Sequence, residues 1–112
     1  MATGPIKQVT NNSGSYYCKM PDGTLIQWGT SGAYASGSST KNTEVTFPIS
    51  FLNTEYRVAF TNKLAGTDFE NYDTTIFSYQ RAYASKMLVH QKTANGSTLL
   101  REFDWIAIGR WK

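Results

Sequence analysis

One histidine, one cysteine and eight carboxylates carry whatever reactive chemistry this 112-residue chain has. His90 is the only imidazole, so any Ser-His-Asp arrangement must use it, and no Gly-x-Ser-x-Gly turn accompanies it. Flanked by Val89 and Gln91, it reads as a structural or ligand-contacting strand residue rather than a general base. Cys18 has no partner for an intrachain disulfide, and one His with one Cys cannot complete a transition-metal site. The run Asp68-Phe69-Glu70-Asn71-Tyr72-Asp73 could offer oxygens to calcium but lacks the spacing of a known calcium loop, so it reads as a solvated acidic segment. Two carboxylates facing across a cleft would suit glycoside hydrolysis, yet spacing singles out no such pair. Neither the dinucleotide fingerprint nor the phosphate-loop spacing occurs in the small-residue stretch from Gly29 to Gly37. The expectation is a non-enzymatic protein with no cofactor and no metal.

Binding asks for less. Sugars are held by aromatic faces against their C–H surfaces and by planar polar groups against their hydroxyls. Phe69, Asn71, Tyr72 and Asp73 share one segment; Tyr79, Arg81 and Tyr83 lie near one strand end; His90 and Lys92 approach the turn at Asn95-Gly96. Tyr34, flanked by small residues, is a further aromatic of this kind.

These groups need a scaffold, and the composition points to an all-β one. Aromatics make up 14% of the chain and charged residues only 17%, which suits strands joined by polar loops. The net charge of +3 comes from Lys and Arg scattered along the chain, without the basic stripe that nucleic-acid binding uses. No apolar run approaches the length of a membrane span. Residues 1–15 read as an N-terminal tether and 16–112 as the folded domain.

Pro21-Asp22-Gly23 predicts a hairpin turn between strands at Tyr16–Met20 and Thr24–Trp28. Gly29 to Asn42 and Asn62 to Asp73 read as long surface loops. Further strands are predicted at Thr43–Phe47, Tyr56–Thr61, Thr74–Arg81, Lys86–Lys92 and Leu99–Trp111. The fold class is therefore an antiparallel β-sandwich of about six to seven strands. In the last strand, Phe103, Trp105, Ala107 and Trp111 point one way and Ile106 and Ile108 the other. Both sides are apolar, so both need cover: one from the domain's own core, the other from a second subunit.

Four segments together resemble the C-terminal domain of bacteriophage tail-fibre and collar-fibre proteins. They are Lys19-Met20-Pro21-Asp22-Gly23-Thr24-Leu25-Ile26-Gln27-Trp28-Gly29, Val45-Thr46-Phe47-Pro48-Ile49-Ser50-Phe51, Tyr56-Arg57-Val58 and Trp105-Ile106-Ala107-Ile108-Gly109. The resemblance implies a β-sandwich related to the H-type lectin fold, joined to an upstream fibre shaft and assembled as a homotrimer at the fibre tip. It implies adsorption to a bacterial surface glycan or other envelope receptor. It also implies a virion location, with synthesis in the host cytoplasm and release by lysis, and no membrane insertion. The Trp28 ring is expected inside the domain. Lectins of this type carry Trp and His near the turn before the last strand; here that turn reads Thr93-Ala94-Asn95-Gly96-Ser97, so their sugar site does not carry over. The stretch from Asp68 to Lys92 departs most from the fibre pattern, being richer in Tyr and charge. Asp68, Asn71, Tyr72, Arg81, Tyr83 and His90 are accordingly the expected ligand-binding residues. A lectin-like carbohydrate-binding module of a cell-wall-active protein is the alternative, and a cap that only nucleates trimerisation is a third reading.

Overall fold

The computed structural model describes residues 8–10, 15–32, 35–37, 39–62, 75–93, 99–100 and 102–112. They form ten strands and no helix. These are β1 (Gln8–Thr10), β2 (Tyr16–Lys19), β3 (Thr24–Ser31), β4 (Ala35–Ser36), β5 (Thr40–Thr46), β6 (Arg57–Asn62), β7 (Thr75–Gln80), β8 (Lys86–Thr93), β9 (Leu99–Leu100) and β10 (Phe103–Arg110). A five-stranded sheet of order β1-β2-β3-β10-β6 packs on a three-stranded sheet of order β5-β8-β7, and β4 pairs with β9. Every pairing is antiparallel. The expected sandwich is thus the observed one. Two of its short strands lie where the sequence suggested none: β1 in the tether segment, and β4 in the stretch read as a loop.

The β2–β3 hairpin turns where Pro21-Asp22-Gly23 predicts it. Gly23 has φ +101°, a left-handed value that glycine adopts without a Cβ clash. The Met20 amide donates to the Thr24 carbonyl at 2.8 Å. The Asp22 carboxylate accepts the Thr24 N–H at 2.9 Å, and this bond holds its carboxyl below the usual carboxylate range. The hairpin is then clipped to the C-terminus. Trp111 donates its amide to the Gly23 carbonyl and its indole N–H to the Met20 carbonyl, while Arg110 donates to the Asp22 carbonyl at 2.8 Å.

Period-two alternation sorts the core. Leu25, Val45, Met87, Val89, Phe103, Trp105 and Ala107 are buried between the sheets. Two aromatic groups fill the ends. Phe47 packs edge-on against Phe51, Tyr56 and Trp105 at one end. At the other, Phe60 stacks on Phe77 and packs against Tyr79 and Phe103. Such ring pairs each add about 0.5–1.5 kcal/mol to the area they bury. Gly109 is required by close approach: a Cβ there would lie 2.7 Å from the Phe51 ring and 3.0 Å from Tyr56 Cβ.

Two sequence expectations are corrected. Trp28 does not enter the core. It is half-buried on the outer face of the five-stranded sheet, stacked on Tyr16 with centroids 5.6 Å apart. The inward position next to it belongs to Gln27, fully buried, whose amide is satisfied by the backbone of Ile49: Nε2 donates to its carbonyl at 2.9 Å, and Oε1 accepts its N–H at 3.1 Å. Cys18 is half-buried and shares the outer face with Ile26 across the β2–β3 ladder. The loop expected from Gly29 is displaced as well, because β3 runs on to Ser31. Its last turns are held by Thr30 Oγ1 donating to Asp104 Oδ1 at 2.5 Å and by Trp105 Nε1 donating to Ser31 Oγ at 3.1 Å.

Candidate functional site

The two outer faces of the sandwich differ in chemistry. On the five-stranded sheet, register places Ile106 between Trp28 and Ala59, and Ile108 between Ile26 and Arg57. Tyr16 and Cys18 extend the same rows on β2. The middle of this face is therefore apolar, and Ile106 and Ile108 are 42% and 47% exposed. Asp104, bonded to Thr30, borders the patch at one end, and Arg57 and Arg110 border it at the other. The last strand thus has the two apolar sides read from its sequence. One is buried in the core and the other is uncovered in the single chain.

The three-stranded sheet presents a polar face. His90 sits mid-strand on β8, with Asn42 of β5 and Ser78 of β7 as its cross-strand neighbours. One row further along, Leu88 lies between Glu44 and Gln80. These six side chains line an open groove of about 550 Å³. Inside it, His90 Nδ1 and Asn42 Oδ1 are 2.7 Å apart. The two side chains share this hydrogen bond, with donor and acceptor set by the imidazole tautomer, and Nε2 is not part of it. Glu44 at the rim is paired with Lys86 at 3.1 Å.

The expected ligand residues fall in separate places. His90 lies in the groove. Arg81 and Tyr83 lie beyond the end of β7, in the connection to β8. Arg81 donates to the Tyr56 carbonyl at 2.9 Å, which ties it to the fold. Tyr83 is 48% exposed with the Lys86 ammonium 4.9 Å from its ring centre. Four residues of strand, roughly 13 Å, separate His90 from Lys86. Asp68, Asn71 and Tyr72 lie outside the described residues. Asn62 and Thr75, which flank that segment, are joined side chain to side chain at 2.9 Å at the opposite end of the sandwich from Arg81 and Tyr83. Asn42, Glu44, Ser78 and Gln80 were not singled out from the sequence. They come from two separate stretches, and only the β5-β8-β7 order brings them together.

No group of His, Cys, Asp and Glu among the described residues could hold a metal ion. No helix of the described residues is long and apolar enough to cross a membrane. The class defined by these features is an all-β antiparallel sandwich with one uncovered apolar sheet face and one grooved polar face.

Comparison with known families and structures places the chain within that class. It belongs to the family described as "Putative tail fiber protein gp53-like, C-terminal", whose model matches residues 19–110. It is thus a tail-fibre C-terminal domain, as the four sequence segments suggested. No match was found among curated protein sequences. Its fold is similar to that of an R1 pyocin fibre from P. aeruginosa, with TM-score 0.65 and 17% identity over 94% of this chain and 28% of that one. An N-truncated R2-type pyocin tail fibre gives TM-score 0.62 and 16% identity, over 96% of this chain and 39% of that one. An N-truncated R1-type pyocin tail fibre gives TM-score 0.62 and 15% identity, over 94% and 87%. At these identities the likeness is one of fold. The chain spans 28% of the first of these fibres.

Proposed function

We propose that this domain is the receptor-binding tip of a phage-type tail fibre, acting without catalysis, as a homotrimer that adsorbs to a bacterial surface glycan. The observation that carries this reading is the row of Ile106 and Ile108 on an otherwise well-covered last strand. An apolar patch in the middle of a sheet face, bordered by charge, is the anatomy of an association surface. Packed about a threefold axis, that face covers the second side of β10 and turns the grooved face outward.

Chain direction supports the placement at a tip. β1 pairs Gln8 with Cys18, so the chain enters beside the Pro21-Asp22-Gly23 hairpin. An upstream shaft then joins at that end. Asn62, Thr75 and Thr93 lie at the other end, which faces away from the shaft toward the host. Residues 1–15, of which Gln8–Thr10 pair with β2, serve as the tether. Asp68, Asn71, Tyr72 and His90 remain residues proposed to contact the receptor; Arg81 and Tyr83, which stand at the shaft end, are proposed to meet it along the flank of the fibre. In a virion released by lysis, three weak sites held together gain about 10²–10⁴ in avidity over one.

The test is labelling of a panel of bacterial isolates with the fluorescent protein, alongside its mass in solution by sedimentation. A trimer that labels some isolates saturably supports the reading. A monomer at every concentration removes the assembly, and labelling of no isolate removes the adsorption.

A further inference from the structure

The groove on the β5-β8-β7 face has no assigned role. We propose that it is a saccharide subsite, built from Asn42, Glu44, Ser78, Gln80, Leu88 and His90, that selects uncharged, hydroxyl-rich glycans. This rests on the receptor-binding reading above and gives it a location and a ligand class.

Three features argue for that occupant. The first is the type of group. Two carboxamides, a hydroxyl, a carboxylate and an imidazole stand on adjacent strands, and all but Leu88 of the six are exposed. Between them they offer donors and acceptors at strand spacing, about 5 Å apart. Vicinal hydroxyls, each both donor and acceptor, are the ligand groups that use such a mixture fully. The His90–Asn42 bond holds both side chains in place before any ligand arrives, which lowers the ordering cost of binding. It leaves His90 Nε2 and the rest of the Asn42 carboxamide outside the pair, as further partners for sugar hydroxyls.

The second feature is the floor. Leu88, half-buried between Glu44 and Gln80, supplies an apolar patch for the C–H face of a sugar ring. The groove volume of about 550 Å³ is in the usual range of small-ligand sites and admits more than one ring.

The third is charge. The lining carries one carboxylate and no lysine, and the Lys86 ammonium is already engaged by Glu44 at 3.1 Å. With Glu44 paired to Lys86, the lining has no unpaired cation to reward a sugar acid, so neutral glycans are favoured. The position of the groove fits as well. It lies across the sandwich from Ile106 and Ile108, so assembly through that face leaves it open.

The experiment uses the 112-residue chain. Fluorescent wild type, Ser78→Trp and the Gln80→Ala/His90→Ala double variant are applied to an array of neutral and acidic bacterial oligosaccharides, and in parallel to the isolate panel. Ser78→Trp fills the groove; the double variant strips it. Both positions are exposed, so the fold is retained, and circular dichroism checks it. Ile76→Ala, exposed on the same face but outside the groove, is the control. The expected result is binding to at least one neutral glycan, weakened by about tenfold or more in both variants and unchanged in the control. Binding that persists in the variants, or binding only to acidic glycans, or to none, overturns the proposal. If wild type still labels isolates in those cases, the groove alone is wrong. If it labels none, the receptor-binding reading falls with it.

Discussion

Replacing Ile106 and Ile108 together by Thr should dissolve the assembly while leaving the protomer folded. Threonine keeps the branched shape that strands favour, and both positions are outside the core. Fully burying an isoleucine side chain contributes about 1.5–3 kcal/mol. With 42% and 47% of the two residues exposed, what remains to be gained is about 1.3–2.7 kcal/mol per protomer, or about 4–8 kcal/mol per trimer. At 1.4 kcal/mol per decade, loss of that term lowers the trimerisation constant by about 10³–10⁶. Sedimentation equilibrium at several protein concentrations reads the change directly. The wild type should hold its trimer mass at concentrations where the double variant is monomeric, and the two should share one far-ultraviolet circular dichroism spectrum. A variant that remains trimeric at all concentrations would refute the placement of the interface on this face.

Three further outcomes test the packing. Gly109→Ala puts a methyl group 2.7 Å from a Phe51 ring that is itself buried and stacked on Tyr56, so unfolding by urea should show a loss of about 1–3 kcal/mol. Gln27→Leu leaves the Ile49 N–H and carbonyl without their partner and should cost about 1–3 kcal/mol in the same assay, although the substitution is apolar and buried. Tyr56→Phe removes a hydroxyl that lies 2.9 Å from the Tyr83 carbonyl and 3.2 Å from that of Lys86, at a cost of about 1 kcal/mol at neutral pH. Burial pushes the Tyr56 phenol up, the Arg81 charge pulls it part of the way back, and Tyr79 adds to the rise. With the folded value above the unfolded value of about 10, the stability tied to the neutral phenol is complete below about pH 10 and is lost as pH rises through the folded value. Urea midpoints between pH 8 and 11 should therefore fall more steeply for wild type than for Tyr56→Phe.

Elements whose pattern and turn chemistry agree were legible from residues alone. The Pro21-Asp22-Gly23 hairpin, the alternation around Val45 and Phe47, and the opposed faces of β10 all stand where the sequence puts them. The Thr24–Trp28 arm shows why alternation can mislead. Hydropathy favours burying Ile26 and Trp28, yet Leu25 and Gln27 are the inward pair. A buried glutamine is tolerated because the Ile49 backbone satisfies its amide, and that backbone is 22 residues away in sequence. β1 and β4 were missed because two or three residues carry no period, and their order comes from the partner strand. The groove was legible only through His90. Its other polar members are ordinary outward strand residues until β8 is set between β5 and β7.

Quantitative labelling of bacterial isolates by wild type and by the Ile106→Thr/Ile108→Thr variant tests the central claim most directly, because it couples assembly to adsorption. The account predicts that wild type saturates on at least one isolate, and that the variant labels the same cells about 10²-fold or more weakly. Equal labelling by both proteins, or labelling of no isolate by wild type, would contradict it.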